Sequence, residues 1–492
     1  MCFTMDPFQT GLTFDDLLLV PQRFSGNSRS EISTKTNFTK KITLNLPIVS
    51  SNMDTVTEAD MAIIMARNGG IGVVHRFLPI ERQVKLIKQV KRAQNFIIDN
   101  PYTSPVSSSI HDIKKLMNQY GVSGILITGE NNLLKGIITN RDLRFTNGNE
   151  NDSVETIMTP RDDLIVADET VGFHDAKEIL KKNKIEKLPI VDKNGRLTGL
   201  ITSVDIQRSE KSPSATKDLK GRLRVAAAIG VKSEAILRAN KLIKADVDAL
   251  VVDVAHGHSD LTINTVLKLR EEFGDDIDII AGNVATAEGT ADLISAGSDG
   301  IKVGVGPGSI CITRIVTGSG VPQLTAIMDS VKIAKEHNIP IIADGGIRTS
   351  GDLTKAIAAG ASTVMIGNLL AGTTESPGFP IIKNGRKYKV IRGMASLGAS
   401  LGRESQEREL KGSFDDSFDG DGFQEFVAEG VEAIVPFRGS ATEVMHQLIG
   451  GLRSGISYCG SLSIPEMQSK AKFIRITGGG LRESKSHDVD QV

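Results

Sequence analysis

Eight short apolar runs, each closing on a polar residue or a glycine, punctuate the chain at residues 47–51, 70–74, 225–230, 249–253, 277–281, 300–304, 340–344 and 362–367. Segments of helical period, among them 233–245, 261–273, 287–296 and 353–359, lie between them. Strands that are apolar along nearly their whole length are buried on both faces, the condition of a parallel sheet covered by helices. Eight such units predict an α/β fold, a closed (β/α)8 TIM barrel, with a doubly wound open sheet as the alternative. In a barrel the carboxyl ends of all the strands share one rim. That rim would carry Asn52, Asp54, His75, Asp253, Asn283, the loop around Cys311, Asp344 with Gly345 and Gly346, and Gly367 with Asn368. A lone Asn or Asp at a strand end also serves as a helix cap. Eight strands converging on one rim, seven of them closing on such groups, point instead to a ligand site.

The alternation breaks once, over residues 97–217. Inside the gap, Leu134-Lys-Gly-Ile-Ile-Thr-Asn-Arg-Asp142 reappears as Leu197-Thr-Gly-Leu-Ile-Thr-Ser-Val-Asp205. Each copy reads as a strand, a turn and a helix start. A chain of 492 residues suggests two to four domains. The division predicted is a first barrel part (1–96), an insert (97–217) and a second barrel part (218–492) with a mobile flap at about 400–428. The flap expectation rests on a long, polar, weakly periodic stretch inside a compact protein. Within it, Asp415 to Asp421 resembles a calcium loop, but the acid needed at the twelfth position falls on Phe426, so a calcium site is rejected.

The stretch 302–314, Lys-Val-Gly-Val-Gly-Pro-Gly-Ser-Ile-Cys-Ile-Thr-Arg, runs from a strand into a glycine-rich loop that presents Cys311, with Thr313 two residues on. Such a loop either wraps a ligand or ion with its own backbone or is a tight turn around a small buried thiol.

Bulk composition narrows the field. The net charge is −1, which argues against a nucleic-acid partner. Cys2, Cys311 and Cys459 are too few and too scattered for a disulfide framework or a zinc site. No apolar run approaches the ~20 residues of a membrane span, and the amino terminus lacks a signal-peptide pattern, so a cytoplasmic protein without a membrane partner is expected.

The repeated element of the insert resembles a tandem pair of CBS motifs. That resemblance implies that Thr139 and Asp142, and likewise Thr202 and Asp205, contact the ribose of a regulatory purine nucleotide. A plain capping box, threonine with an acid three residues on, accounts for the same spacing without a ligand.

Ser51-Asn-Met-Asp54, Asp253 with His256-Gly-His258, the loop 304–313 running on to Gly320-Val-Pro-Gln323, Asp344-Gly-Gly-Ile347, Gly367-Asn-Leu-Leu370 and Arg392-Gly-Met394 resemble the signatures of the IMP dehydrogenase/GMP reductase family over nearly the whole chain. The resemblance implies a barrel assembled as a homotetramer or homo-octamer. It implies that Cys311 attacks C2 of a purine nucleotide, GMP or IMP, to form a covalent thioimidate. Carried over residue by residue, Asp344 falls to the ribose hydroxyls, and Ser309, Gly346 and Gly367 to the 5′-phosphate. Asn368 is a further substrate-binding position, and Met394 with Ala395 falls to the base. Asp253, Asn283 and Gly304 would face the nicotinamide dinucleotide. Backbone carbonyls of Gly306, Gly308 and Cys311, with Glu483 of a neighbouring subunit, would match a K+ site.

Two reactions share that thioimidate. A dehydrogenase oxidises IMP with NAD and then hydrolyses the adduct with an Arg-Tyr pair on the flap. A reductase expels ammonia from GMP and uses NADPH. The tyrosines here are 102, 120, 388 and 458, none of them in the flap, and neither Arg403 nor Arg408 precedes a tyrosine. Ile391 stands where the dehydrogenase pattern has a phosphate-binding tyrosine, and Ala395 where it has a glycine. Thr313 and Glu429 match the reductase pair that protonates the departing amine, although many dehydrogenases carry both. The expectation is an NADPH-dependent GMP reductase with catalytic Cys311, Thr313 and Glu429; IMP dehydrogenase is the alternative.

Overall fold

A computed structural model describes residues 9–93, 97–99, 101–144, 149–210, 212–396, 398–399 and 427–485. The eight apolar runs form parallel strands β1 (Ile48–Ser50), β2 (Ile71–Val74), β3 (Ala226–Ile229), β4 (Ala249–Asp253), β5 (Asp278–Val284), β6 (Gly300–Val303), β7 (Ile341–Asp344) and β8 (Thr363–Ile366). They close in chain order into a barrel, β8 pairing with β1 and β2 with β3. The barrel prediction holds and the open sheet falls away. Outer helices follow the first seven strands, and the eighth place is filled from far downstream by Ala441–Tyr458, which packs on Ser350–Ala358 and Ala59–Arg67.

The two-residue period of a strand sorts the side chains. Ile48, Val74, Leu250, Val252, Ile279, Ile301, Val303 and Ile341 face the helices in one core. Val49, Ile71, Val73, Ala226, Ala228, Val251, Ile280, Ile342 and Met365 face inward in a second. The hairpin formed by Thr36–Asn37 and Thr43–Leu44 adds Phe38, Ile42 and Leu44 to that inner core. The Lys40 N–H meets the carbonyl of Asp299 at 3.2 Å, next to the start of β6, so the hairpin plugs the end where the strands begin. Most polar inward groups lie toward the opposite rim; Asp278 at the start of β5 is an exception and accepts from Thr39 of the hairpin turn.

Beyond β8 an antiparallel sheet of Pro380–Lys383, Arg386–Arg392 and Glu432–Pro436 stands beside the rim sequences. The expected flap, with Arg403, Arg408 and the acidic run 415–421, lies outside the described residues except for Val427 and Ala428.

By contacts the chain divides into two compact units, one made of Gln94–Pro213 with Asp218–Arg222 and the other of the remainder. In the smaller unit the two sequence repeats adopt one plan. Hairpin Gly124–Thr128/Leu134–Thr139 has the parallel neighbour Thr103–Pro105, and hairpin Lys187–Val191/Leu197–Thr202 has Ala167–Asp168. Thr139 donates to Asp142 at 2.8 Å and Thr202 to Asp205 at 2.5 Å, so each Thr–Asp pair closes on itself at the start of a helix. No helix among the described residues is long and apolar enough to cross a membrane.

One buried ion pair locks β4 from outside the rim: Lys91 Nζ lies 2.6 Å from Asp248, whose carboxylate also accepts the Val225 N–H at 2.8 Å. Stripping the ammonium from a buried carboxylate costs about 3–5 kcal/mol. Lys91→Met leaves Asp248 facing Arg224 at 3.8 Å and should lose stability toward the lower end of that range in a thermal or urea melt.

Candidate active site

The end of the barrel interior opposite the hairpin is charged. Asp253 shares the inward parity of Ala249 and Val251, Asp344 that of Ile342, and Lys302 lies between outward Ile301 and Val303. Lys302 Nζ sits 2.6 Å from Asp253 Oδ1 and 2.7 Å from Asp344 Oδ2, and donates also to Asn283 Oδ1. Asn283 Nδ2 reaches the Gly304 carbonyl at 2.7 Å and Asp344 Oδ2 at 3.0 Å. Asn52 donates to Asp253 Oδ2 at 2.8 Å. Gly282 is the register partner of Lys302, and a Cβ there would clash with the Lys302 carbonyl oxygen and come 2.7 Å from its Cβ, so the close backbone approach at this pair needs a glycine.

Burial opposes both charges on this layer, and the charges overcome it together. The Asp253 and Asp344 carboxylates push the Lys302 ammonium above the usual lysine range. Lys302, with Arg76 behind it, holds the Asp253 carboxyl below the usual carboxylate range.

Next to this layer opens a cavity of about 550 Å³. Ser309, Asp344, Gly346, Gly367 and Asn368 all stand in its wall, together with Ile391. Asn368 Nδ2 donates to Ser309 Oγ at 3.1 Å, tying the cysteine loop to the end of β8. Arg314 clamps the loop by donating to the carbonyls of Val305 (3.3 Å) and Val321 (2.5 Å). Gly306 has φ +86°, and a Cβ there would meet the Arg314 Cγ at 2.5 Å.

Cys311 follows Ser309 and Ile310, which line the cavity, and is held by segments distant in sequence. The Ile312 N–H donates to the Glu429 carbonyl (2.8 Å), and the Val431 N–H to the Ile310 carbonyl (3.0 Å). On the other side the Gly393 N–H reaches the Val431 carbonyl (3.0 Å) and the Glu429 N–H the Ala395 carbonyl (3.0 Å). The sheet sets this register: Arg392 pairs with Glu432, so the turn after one strand meets the residues before the other. Asp54 fixes the first strand's end by accepting from Arg392 Nε at 2.7 Å.

The result is a side-chain chain across the zipped backbones. Cys311 Sγ donates to Thr313 Oγ1 at 3.1 Å, and Thr313 Oγ1 to Glu429 Oε2 at 2.7 Å. It links the sulfur to a carboxylate through a hydroxyl, the geometry of a proton relay.

Not every residue named from sequence enters this site. Met394 and Ala395 lie on the zipped turn rather than in the cavity wall. Both N–H groups of the Asn283 side chain are taken inside the charged layer. Glu483 ends the short helix Gly478–Glu483 and makes no hydrogen bond or ion pair with the Cys311 loop among the described residues. Lys302 and Arg314 escaped the sequence reading. For Lys302 the signal was present, a lone charge at an inward position of an apolar strand; Arg314 gave none, because its targets are backbone carbonyls.

Gly430 and Gly393 approach so closely that a Cβ on Gly430 would stand 3.2 Å from the Gly393 Cα. Gly430→Val should part the zipper. The expected outcome is a Cys311 alkylation rate with iodoacetamide raised about fivefold or more, read by mass spectrometry of its peptide, with the barrel's melting midpoint moved by less than about 4 °C for a change confined to a rim loop.

The sequence pattern of the IMP dehydrogenase / GMP reductase domain matches residues 11–487. Inosine-5′-monophosphate dehydrogenase of Nitrosopumilus maritimus is 52% identical over 482 residues, covering 98% of this chain and 99% of its own. GMP reductase of Leishmania major is 48% identical over 490 residues, covering 98% of each. Among solved structures, a cysteine-to-alanine GMP reductase of Trypanosoma brucei in complex with guanosine 5′-monophosphate superposes with a TM-score of 0.84 at 45% identity, covering 98% of this chain and 99% of that one. The chain belongs to the IMP dehydrogenase / GMP reductase family of oxidoreductases.

Proposed function

We propose that this family member is a GMP reductase, converting GMP to IMP and ammonia with NADPH. The observation that carries the reading is the Cys311–Thr313–Glu429 chain, with contacts of 3.1 and 2.7 Å, in a protein whose segment from 389 to 457 has no tyrosine to pair with an arginine for water activation. The Trypanosoma brucei structure binds guanosine monophosphate, which supports the same purine in the 550 Å³ cavity here.

In this reading Cys311 adds to C2 of GMP while its thiol proton passes through Thr313 to Glu429, and Glu429 returns that proton through Thr313 to the 2-amino group, which leaves as ammonia and gives the thioimidate. A bound NADPH supplies the hydride that restores C2 before the thiol departs. Asp344 accepts from the ribose hydroxyls, Ser309, Gly346 and Gly367 hold the phosphate end, Asn368 is a further substrate contact, and Met394 and Ala395, on the turn outside the cavity wall, are assigned to the base by family resemblance alone. Asp253 fits a dinucleotide: its carboxylate is ionised, and 16% of the side chain remains open at the rim. Gly304 and Asn283 shape that side. The carbonyls of Gly306, Gly308 and Cys311, with Glu483 of another subunit, form the K+ site in a cytoplasmic homotetramer or homo-octamer. The smaller unit, with Thr139–Asp142 and Thr202–Asp205, is a CBS pair that binds purine nucleotides and regulates the barrel.

The second reading, oxidation of IMP by NAD, is favoured by the 52% identity to the archaeal dehydrogenase. Turnover separates them. With GMP and NADPH the reduced-nicotinamide absorbance should fall; with IMP and NAD it should stay flat. A rise with IMP and NAD at a comparable rate would reverse the assignment. Cys311→Ala should abolish the reaction, and Glu429→Gln should lower kcat about a hundredfold, the range of a lost general acid.

A further inference from the structure

We infer that Lys302 is a positioning residue shared by two ligand sites: one buried ammonium holds both Asp344, on the purine cavity, and Asp253, on the dinucleotide side. The inference rests on the proposed function for the identity of the two ligands and on the structure for the linkage.

Lys302 is 2% exposed and cannot reach either ligand site except through its partners. Its bonds to Asp253 Oδ1 (2.6 Å) and Asp344 Oδ2 (2.7 Å) place one positive charge between two carboxylates that would otherwise repel across the barrel. On Asp344, Lys302 and Asn283 both take Oδ2, which leaves Oδ1 for a hydroxyl in the cavity that Asp344 lines. On Asp253, Lys302 and Asn52 take one oxygen each and fix the plane of the carboxylate. A ligand that draws on either acid therefore changes the charge left to the other, which makes the two affinities reciprocal. The charged groups acting on Asp253 are Lys302 and Arg76, and Lys302 in turn faces Asp344.

Calorimetric titration of the full-length protein with GMP or IMP, and separately with NADPH, tests the linkage without turnover. Lys302→Met should weaken both ligands about tenfold at pH 6. The NADPH loss should shrink as pH rises, because a buried Asp253 without the Lys302 ammonium protonates at a higher pH than in the parent. A merely structural lysine would give losses that follow the melting midpoint and not the pH. If that variant does not fold, Asp253→Asn and the pair Lys302→Met/Asp253→Asn, which strands no charge at position 253, take its place. Asp253→Asn leaves the whole Lys302 charge to Asp344 and should shift purine affinity from the parent's, and the pair, which removes that charge, should bind purine about tenfold more weakly than Asp253→Asn. Equal purine affinity in those two proteins, or unchanged affinities in Lys302→Met at pH 6, overturns the inference. A parent that binds purine monophosphate yet turns over neither substrate pair would instead defeat the proposed reaction and leave the linkage standing.

Discussion

A parallel strand buried on both faces has nowhere to put a polar side chain except at its ends, and everything chemical in this molecule follows from that restriction. One end of the barrel is stopped by Phe38, Ile42 and Leu44. The inner wall is mostly apolar up to the level of Val251, Ile280 and Ile342, with Thr363 and Asp278 as its buried polar members. One step further along the same inward parity come Asp253, Gly282 and Asp344, with Lys302 between the acids. The charges occur together because each alone would be intolerable in that setting. A buried ammonium or carboxylate is held only by partners close enough to offset its lost hydration.

The sulfur is handled differently. Cys311 sits not on the rigid wall but on a loop whose backbone is stitched to 429–431, which is stitched in turn to 393–396. Two glycines make this possible, since Gly393 and Gly430 let three main chains approach without intervening side chains. The flanking sheet converts the rigidity of the barrel into a register for the loop, so Glu429 arrives opposite Thr313 although 116 residues separate them. The arrangement pairs a preorganised charge layer with a cysteine whose loop is held by backbone contacts to two distant segments.

In the smaller unit the two halves repeat a single plan, and both Thr–Asp pairs are used as helix caps.

How much of this was legible beforehand depended on the range of the interaction. All eight barrel strands were readable as apolar runs, since two-faced burial writes itself into consecutive residues. The repeat in the insert was readable as a repeat. Ser309, Asp344, Gly346, Gly367 and Asn368 were found through motif resemblance and do meet on one cavity. Lys302 was overlooked because a charge in an apolar strand has meaning only once its neighbours across the barrel are known. Arg314 was overlooked because its partners are carbonyls, which carry no residue identity. What the amino-acid order alone determined, then, was the set of strands, the insertion and the family. Which acid shares which cation, and which distant segment stands against Cys311, was decided only by closure of the barrel and the sheet beside it, because ion pairs and hydrogen bonds act over a few ångströms of space and are blind to separation along the chain.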